Sequence, residues 1–147
     1  MPVFVTVRTI YNMSQKTKII LLADDDVEDQ EILEDAILQQ ESVTEVRTVV
    51  NGQQVIEFLH NCSDIDLPSL IILDYKMPIL NAAEVLERIH QVGRFNGIPK
   101  VVWSSSKQPE HVKNCMDKGA INYFVKPNRI NDLELMVKQM LAIISHH

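Results

Sequence analysis

Leu70-Ile71-Ile72-Leu73 runs without a polar interruption into Asp74, and the pattern turns polar again by Lys76 and Pro78. A short unbroken aliphatic run of this kind is the pattern of a strand buried on both faces, as in a parallel sheet covered by helices on both sides. Asp74 then stands where the strand ends. In open α/β sheets ligands bind in the crevice beyond the carboxyl ends of the strands. A single strand-end Asp often does no more than cap the next helix, so its meaning depends on what the other strands deliver.

They deliver matching groups. Lys18-Ile19-Ile20-Leu21-Leu22-Ala23 is a second apolar run, and it ends in Asp24-Asp25-Asp26. Residues 27–40 carry Leu33, Ala36 and Ile37 at helical spacing after an acidic start of Asp26, Glu28, Asp29 and Glu31, which suits a helix N-terminus. Asp26 is read as a helix-start residue rather than a ligand. Residues 43–50 mix apolar with charged side chains (Glu45, Arg47) and read as an edge strand, with Asn51-Gly52 as turn and cap and Val55, Phe58 and Leu59 marking a short helix. After the strand ending at Asp74, Val85, Leu86, Ile89 and Val92 form a helical stripe, and residues 93–97 form a loop. Pro99-Lys100-Val101-Val102-Trp103 is a fourth strand ending in Ser104-Ser105-Ser106. Pro109 suits a first helical turn, Val112, Cys115 and Met116 are expected to bury one face, and Gly119 is the expected C-terminal stop. Residues 121–125 make a fifth strand ending in Lys126-Pro127, and Leu133, Met136, Val137, Met140, Leu141 and Ile144 mark a last helix. Strand and helix thus alternate five times, which implies right-handed crossovers and an α/β sheet with helices on both faces.

The 147 residues suit one domain, and 46% hydrophobic with 23% charged residues is the ordinary globular range. No apolar run has the length of a transmembrane helix. A formal net charge of -6 argues against nucleic acid and anionic membrane as partners. Cys62 and Cys115, with no second Cys or His at ligand spacing, read as reduced thiols of a cytoplasmic protein. Residues 1–17 read as an extension, mobile or weakly attached, in which residues 2–10 have the alternation of an added edge strand; Met13 is an alternative start. Residues 18–147 form the domain, with His146 and His147 as a solvated tail.

In a parallel sheet the strand ends lie on one edge, so carboxylates from the first and third strands meet the hydroxyl of Ser104 and the amine of Lys126. Two unit charges 4 Å apart cost roughly 4 kcal/mol at an effective dielectric near 20, so the carboxylates call for a proton, the Lys126 ammonium or a hard cation. Mg²⁺ typically takes one or two carboxylates, waters and a phosphate. Carboxylate nucleophile, Mg²⁺, ammonium and hydroxyl are the parts that hold a phosphoryl group.

Leu22-Ala23-Asp24-Asp25, Asp74-x-x-Met77-Pro78, the hydroxyl at Ser104 and Lys126-Pro127 together resemble the receiver domain of two-component response regulators, over roughly residues 18–144. The resemblance implies a flavodoxin-like, doubly wound fold: a five-stranded parallel sheet in the order 2-1-3-4-5 with five helices. It implies that Asp74 accepts a phosphoryl group from a phosphohistidine of a sensor histidine kinase or phosphotransfer protein. It further implies Mg²⁺ on Asp25 and Asp74, with Asp24 holding metal-bound water and the Lys76 carbonyl as a further ligand. Lys126 would pair with the phosphoryl oxygens, Ser104 would move to hydrogen-bond them, and Tyr123 would be the switch aromatic that turns inward. Lys76 and Ser106 stand at positions that tune phosphoryl lifetime, so Lys76→Ala is expected to alter dephosphorylation. The family usually has a cis peptide before the position of Pro127. Trp103 is expected to pack in the core, close enough to report site occupancy.

The chain departs from the family at two positions. Ser104 stands where Thr is frequent, which keeps the hydroxyl but loses a methyl. Ala82 stands where Gly is common; Ala disfavours positive φ, so the loop before it is expected to take another path. With the fifth helix ending near Ile144, the resemblance implies a stand-alone receiver of the chemotaxis-regulator kind, signalling by protein contact or phosphorelay through a face at about residues 108–144. A homodimer through that face is compatible with the sequence. Two other readings compete. One is a Mg²⁺-dependent phosphohydrolase of the haloacid-dehalogenase type with Asp24 as nucleophile; the other is a degenerate receiver serving only as a binding module.

Overall fold

The computed structural model describes residues 17–145, so the expected strand at residues 2–10, the status of Met13 and the tail at His146 and His147 lie outside the described residues. Five strands, β1 (Ile19–Ala23), β2 (Glu45–Val49), β3 (Leu70–Leu73), β4 (Lys100–Ser104) and β5 (Asn122–Val125), alternate with five helices. The helices are α1 (Val27–Gln40), α2 (Gly52–Asn61), α3 (Ala82–His90), α4 (Pro109–Asp117) and α5 (Ile130–Ser145). The sheet order is β2-β1-β3-β4-β5 and every pairing is parallel, as expected from the sequence.

The unbroken aliphatic runs are explained by the two faces they serve. Leu21, Ala23, Ile71, Leu73 and Val102 pack with Val55, Leu59, Val85, Leu86, Ile89 and Cys115 of α2, α3 and α4. Their strand neighbours Ile20, Leu22, Leu70, Ile72, Val101 and Trp103 point the other way, against Leu33, Ala36 and Ile37 of α1 and Leu133, Met136, Val137 and Met140 of α5. β2 is an edge strand with no fully buried residue, which is why its sequence tolerates Glu45 and Arg47.

Local chemistry starts and stops the helices where the strand edge needs them. Asp26 caps α1, its carboxylate accepting from the backbone N–H of Glu28 and Asp29. Asn51 caps α2, and Asn81 with Glu84 forms a reciprocal capping box on α3. Beyond α4, Gly119 takes φ 111°, and the N–H groups of Gly119 and Ala120 return to the carbonyls of Met116 and Cys115 in a Schellman closure.

Two expectations need correction, for Met116 and for the peptide before Pro127. Met116 was expected on the buried face of α4, but it is 41% exposed; Cys115 alone on that helix is fully buried, because α4 lies shallowly at the margin of the sheet. Ala82 does not carry the conformational demand of the loop after β3: it opens α3, and its N–H donates to the Tyr75 carbonyl at 3.0 Å. The positive φ falls instead on Ile79, at 72°, with an exposed side chain. The peptide before Pro127 is trans, not cis; Lys126 is held by the ion pairs described next.

Candidate functional site

The carboxyl ends of β1, β3, β4 and β5 open into a cleft of about 440 Å³ lined by Asp25, Asp29, Asp74, Lys76, Ser104 and Lys126, among others. The register fixes this convergence: Ala23 pairs with Leu73, Leu73 with Val102 and Ser104 with Val125, so the residues that follow each strand emerge together. Backbone bonds extend the alignment past the strands, from Asp74 N–H to the Ala23 carbonyl (2.9 Å) and from Lys126 N–H to the Ser104 carbonyl (2.9 Å).

Asp24, Asp25 and Asp74 each offer an oxygen, and these oxygens lie within 4.8 Å of one another. Asp24 is fully buried, Asp74 is 7% exposed, and Asp25 faces solvent. Among the described residues this is the one such cluster of possible metal-ligating side chains. The donor set fits a hard divalent cation: three carboxylates at short range, two of them shielded from water, with one open side.

Lys126 Nζ lies 2.8 Å from Asp24 Oδ2, 2.8 Å from Asp29 Oδ2 and 3.3 Å from Asp74 Oδ2. It also sits 4.8 Å over the ring of Trp103, whose side chain packs in the core as expected. Burial alone would lower the Lys126 ammonium, but its bonds to Asp24 and Asp29 and the charges of Asp74 and Asp24 outweigh that and raise it. The Asp74 carboxyl is pushed up to about 6, first by burial, then by the charge of Asp24, with Lys126 pulling the other way. One ammonium does not neutralise this group of acids.

Ser104 Oγ accepts from the backbone N–H of Ser106 at 3.2 Å. Tyr123 is turned inward, and its hydroxyl donates to the Ser106 carbonyl at 2.8 Å. Burial raises the Tyr123 phenol, and hydrogen bonding with Ser104 and Ser106 opposes this. Lys76 lines the mouth of the cleft with an exposed side chain. Asp26 is a cap, as read from the sequence.

Three residues escaped the sequence reading. Asp29 reads from the sequence only as part of an acidic helix start, yet it is a direct partner of Lys126. Its place three residues after the cap, where a side chain turns back toward the helix entrance, was the available signal. Gln30, buried, donates through its amide to the carbonyls of Asp24 (2.5 Å) and Val49 (2.9 Å) and so pins the loop after β1 to β2. His111 stacks on Tyr75 and bonds Ser106. The phosphohydrolase alternative, with Asp24 as nucleophile, loses its footing: that carboxylate is sealed from solvent and engaged by Lys126 and by the backbone N–H of Asp26.

A five-stranded doubly wound sheet with an acidic triad and a lysine at its carboxyl edge describes the receiver class. The family model for the response regulator receiver domain matches residues 20–138, and the chain belongs to that family. Two-component response regulator ARR9 of Arabidopsis thaliana is 30% identical over 139 residues, covering 83% of this chain and 58% of that protein. The rice response regulator ORR3 (Oryza sativa) is 27% identical over 122 residues, covering 83% of this chain and 89% of that one. The chain spans less than two thirds of the length of the Arabidopsis relatives ARR9 and ARR8, at 58% and 60%. Among solved structures, the phosphorylated cyanobacterial phytochrome response regulator RcpA superposes with a TM-score of 0.76 at 28% identity, covering 84% of this chain and 91% of that one. The Mn²⁺-bound form of response regulator Rcp1 superposes with a TM-score of 0.73 at 26% identity, covering 85% and 92%. No helix among the described residues is long and apolar enough to cross a membrane.

Proposed function

We propose that Asp74 accepts a phosphoryl group from a phosphohistidine of a histidine kinase or phosphotransfer protein, and that the charged state is read by a downstream protein. The observation that carries this is the strand-end position of Asp74 in an open cleft, within 4.8 Å of the Asp24 and Asp25 oxygens and 3.3 Å from the Lys126 ammonium. In the transfer an Asp74 carboxylate oxygen bonds to phosphorus as the P–N bond breaks, and the departing imidazole nitrogen takes a proton. Hydrolysis later returns the carboxylate and inorganic phosphate.

Each residue has a role its position supports. Lys126 already faces Asp74 and supplies positive charge where phosphoryl oxygens would lie. Ser104 borders the same cleft, and its hydroxyl keeps a proton to donate. Asp24, Asp25 and Asp74, with the Lys76 carbonyl, would hold Mg²⁺, which when bound neutralises charge on the acids and on the transferring group. That one relative was solved phosphorylated and another with Mn²⁺ is in keeping with this assignment. Tyr123 is assigned the switch, coupling the Ser104 loop to α4, β5 and α5. Exposed Met116, Val125, Ile130 and Leu135 on those elements offer the partner an apolar surface. A cytoplasmic setting, where histidine kinases present their phosphohistidines, accords with the two free thiols.

Incubation with a small phosphodonor and Mg²⁺, followed by intact mass, tests the reading. The expected result is a single phosphoryl adduct on the wild type and none on Asp74→Asn. An adduct surviving in Asp74→Asn, or none on the wild type, would overturn it; the second result with retained fold would return the degenerate-receiver reading.

A further inference from the structure

Ser106 is the residue through which the loop after β4 is tied to its surroundings. Its N–H donates to Ser104 Oγ (3.2 Å), its carbonyl accepts the Tyr123 hydroxyl (2.8 Å), and its own hydroxyl shares a 2.6 Å bond with Nδ1 of His111. His111 lies in the first turn of α4, a helix whose Gln108 cap position makes no side-chain capping bond. Its half-buried imidazole lies flat on Tyr75, with centroids 3.9 Å apart and planes 16° from parallel. Tyr75 directly follows Asp74 and is itself buried. One imidazole therefore covers the neighbour of Asp74 with its face. With its nitrogen it grips the residue that holds both Ser104 and Tyr123.

We propose that His111 is a positioning residue of the phosphoryl site, holding the β4–α4 loop in the arrangement that receives the Tyr123 hydroxyl and fixes Ser104. The proposal rests on the reading of Asp74 as phosphoacceptor. The Ser106–His111 bond forms with either imidazole tautomer, since hydroxyl and Nδ1 each donate or accept. The Gln108 N–H, 3.4 Å from the same hydroxyl, adds a weaker tether. Without the imidazole, the Ser106 hydroxyl loses its short bond and the ring of Tyr75 loses its cover. The loop then samples other conformers, and the carbonyl that receives Tyr123 no longer has a fixed place. When only part of the population is competent to bind, apparent affinity falls by that fraction. His111 thereby raises the affinity of the site for a phosphoryl group without touching it.

The test titrates beryllofluoride, a phosphoryl mimic, in the presence of Mg²⁺ and follows Trp103 fluorescence. His111→Ala and Ser106→Ala are each expected to weaken binding about 3- to 10-fold, the range expected if the competent arrangement falls to between a third and a tenth of molecules. The double variant is expected to lose no more than His111→Ala alone, because both substitutions remove the same Ser106–His111 bond and only the imidazole also covers Tyr75. His111→Asn, which returns a hydrogen-bonding atom near the position of Nδ1, is expected to recover part of the loss, a rescue that a purely space-filling role does not predict. Circular dichroism melts verify folding, and Ser106→Ala, the smaller change, carries the test should His111→Ala unfold. Wild-type affinity in both single variants, or fully additive losses in the double, overturns the proposal. Failure of the wild type to take up either beryllofluoride or phosphoryl overturns the Asp74 reading, and this proposal with it.

Discussion

Asp74 carries a charge where burial and Asp24 resist one, and its carboxyl is pushed up from 3.8 to about 6 despite Lys126. The folded-state value lies above the unfolded one, so the native protein binds more protons than the unfolded chain between about pH 4 and 6. Stability from this group is therefore greatest below that window, falls as pH rises through it, and stays lost above about 6. The span corresponds to at most about 3 kcal/mol. Asp74→Asn should accordingly melt higher than the wild type at pH 7.5 in chelator, with the two curves converging only below about pH 4; a variant that gains nothing at pH 7.5 contradicts this. Lys126 presents the opposite case. Its side chain is 11% exposed and its removal leaves the sealed Asp24 carboxylate without a counter-charge. Breaking a buried pair from one side costs about 3 kcal/mol or more. Lys126→Met keeps the stem over Trp103 but not the charge, so denaturant titration should show a loss of that order in chelator and partial recovery in Mg²⁺.

At the level of elements, α2 is fitted closely against the loop that follows β3. A Cβ at Gly52 would run into the Leu80 carbonyl oxygen and lie 2.6 Å from Leu80 Cβ and 2.8 Å from Val85 Cγ2. Two of these atoms belong to the β3–α3 connection, whose backbone also bears Lys76. Gly52→Ala should cost about 2 kcal/mol in chemical denaturation through overpacking, and should slow phosphoryl uptake as that connection shifts. A variant as stable as the wild type would mean the connection yields freely. Ile79 on the same connection holds φ 72°, a conformation that β-branched residues resist. Elements of this kind mark the boundary of what the sequence made legible. β1, β3 and β4 were readable because burial on both faces leaves aliphatic runs that fit little else, and the polar residues that stop those runs line the candidate site. The Asp29–Lys126 pair was not readable: it joins residues 97 apart, and an acidic first turn has a sufficient local explanation. The exposure of Met116 was hidden for a similar reason, since helical spacing shows which residues share a face but not how deeply that face is seated. The positive φ at Ile79 was not legible either, because the sequence does not show which residue of a loop bears it.

At the scale of the whole molecule, the two cores are well packed and the like-charge repulsion is concentrated at one edge of the sheet. β1 from Ile20 onward and all of β3 are buried and paired directly, Ala23 with Leu73, so the sheet holds Asp24 and Asp74 close together and cannot easily relieve their repulsion by spreading. The -6 formal net charge adds a weak field of the same sign. A divalent cation bound between these carboxylates therefore stabilises the entire fold, not only the cleft, because it binds the native state and finds no preformed site in the unfolded chain. By mass action the gain grows as RT ln(1 + [L]/Kd), about 2.7 kcal/mol at a hundredfold excess over Kd. The melting temperature should rise with Mg²⁺ concentration well beyond what matched ionic strength in NaCl achieves. Asp25 separates the specific effect from general screening: it faces solvent, so Asp25→Asn leaves the buried pairs of Asp24, Asp74 and Lys126 in place while removing one of the three carboxylate oxygens. That variant should melt at or slightly above the wild type in chelator and lose most of its response to Mg²⁺, while keeping the NaCl response. An equal Mg²⁺ response in Asp25→Asn would show that the cation acts on the surface charge at large and not at the edge of the sheet.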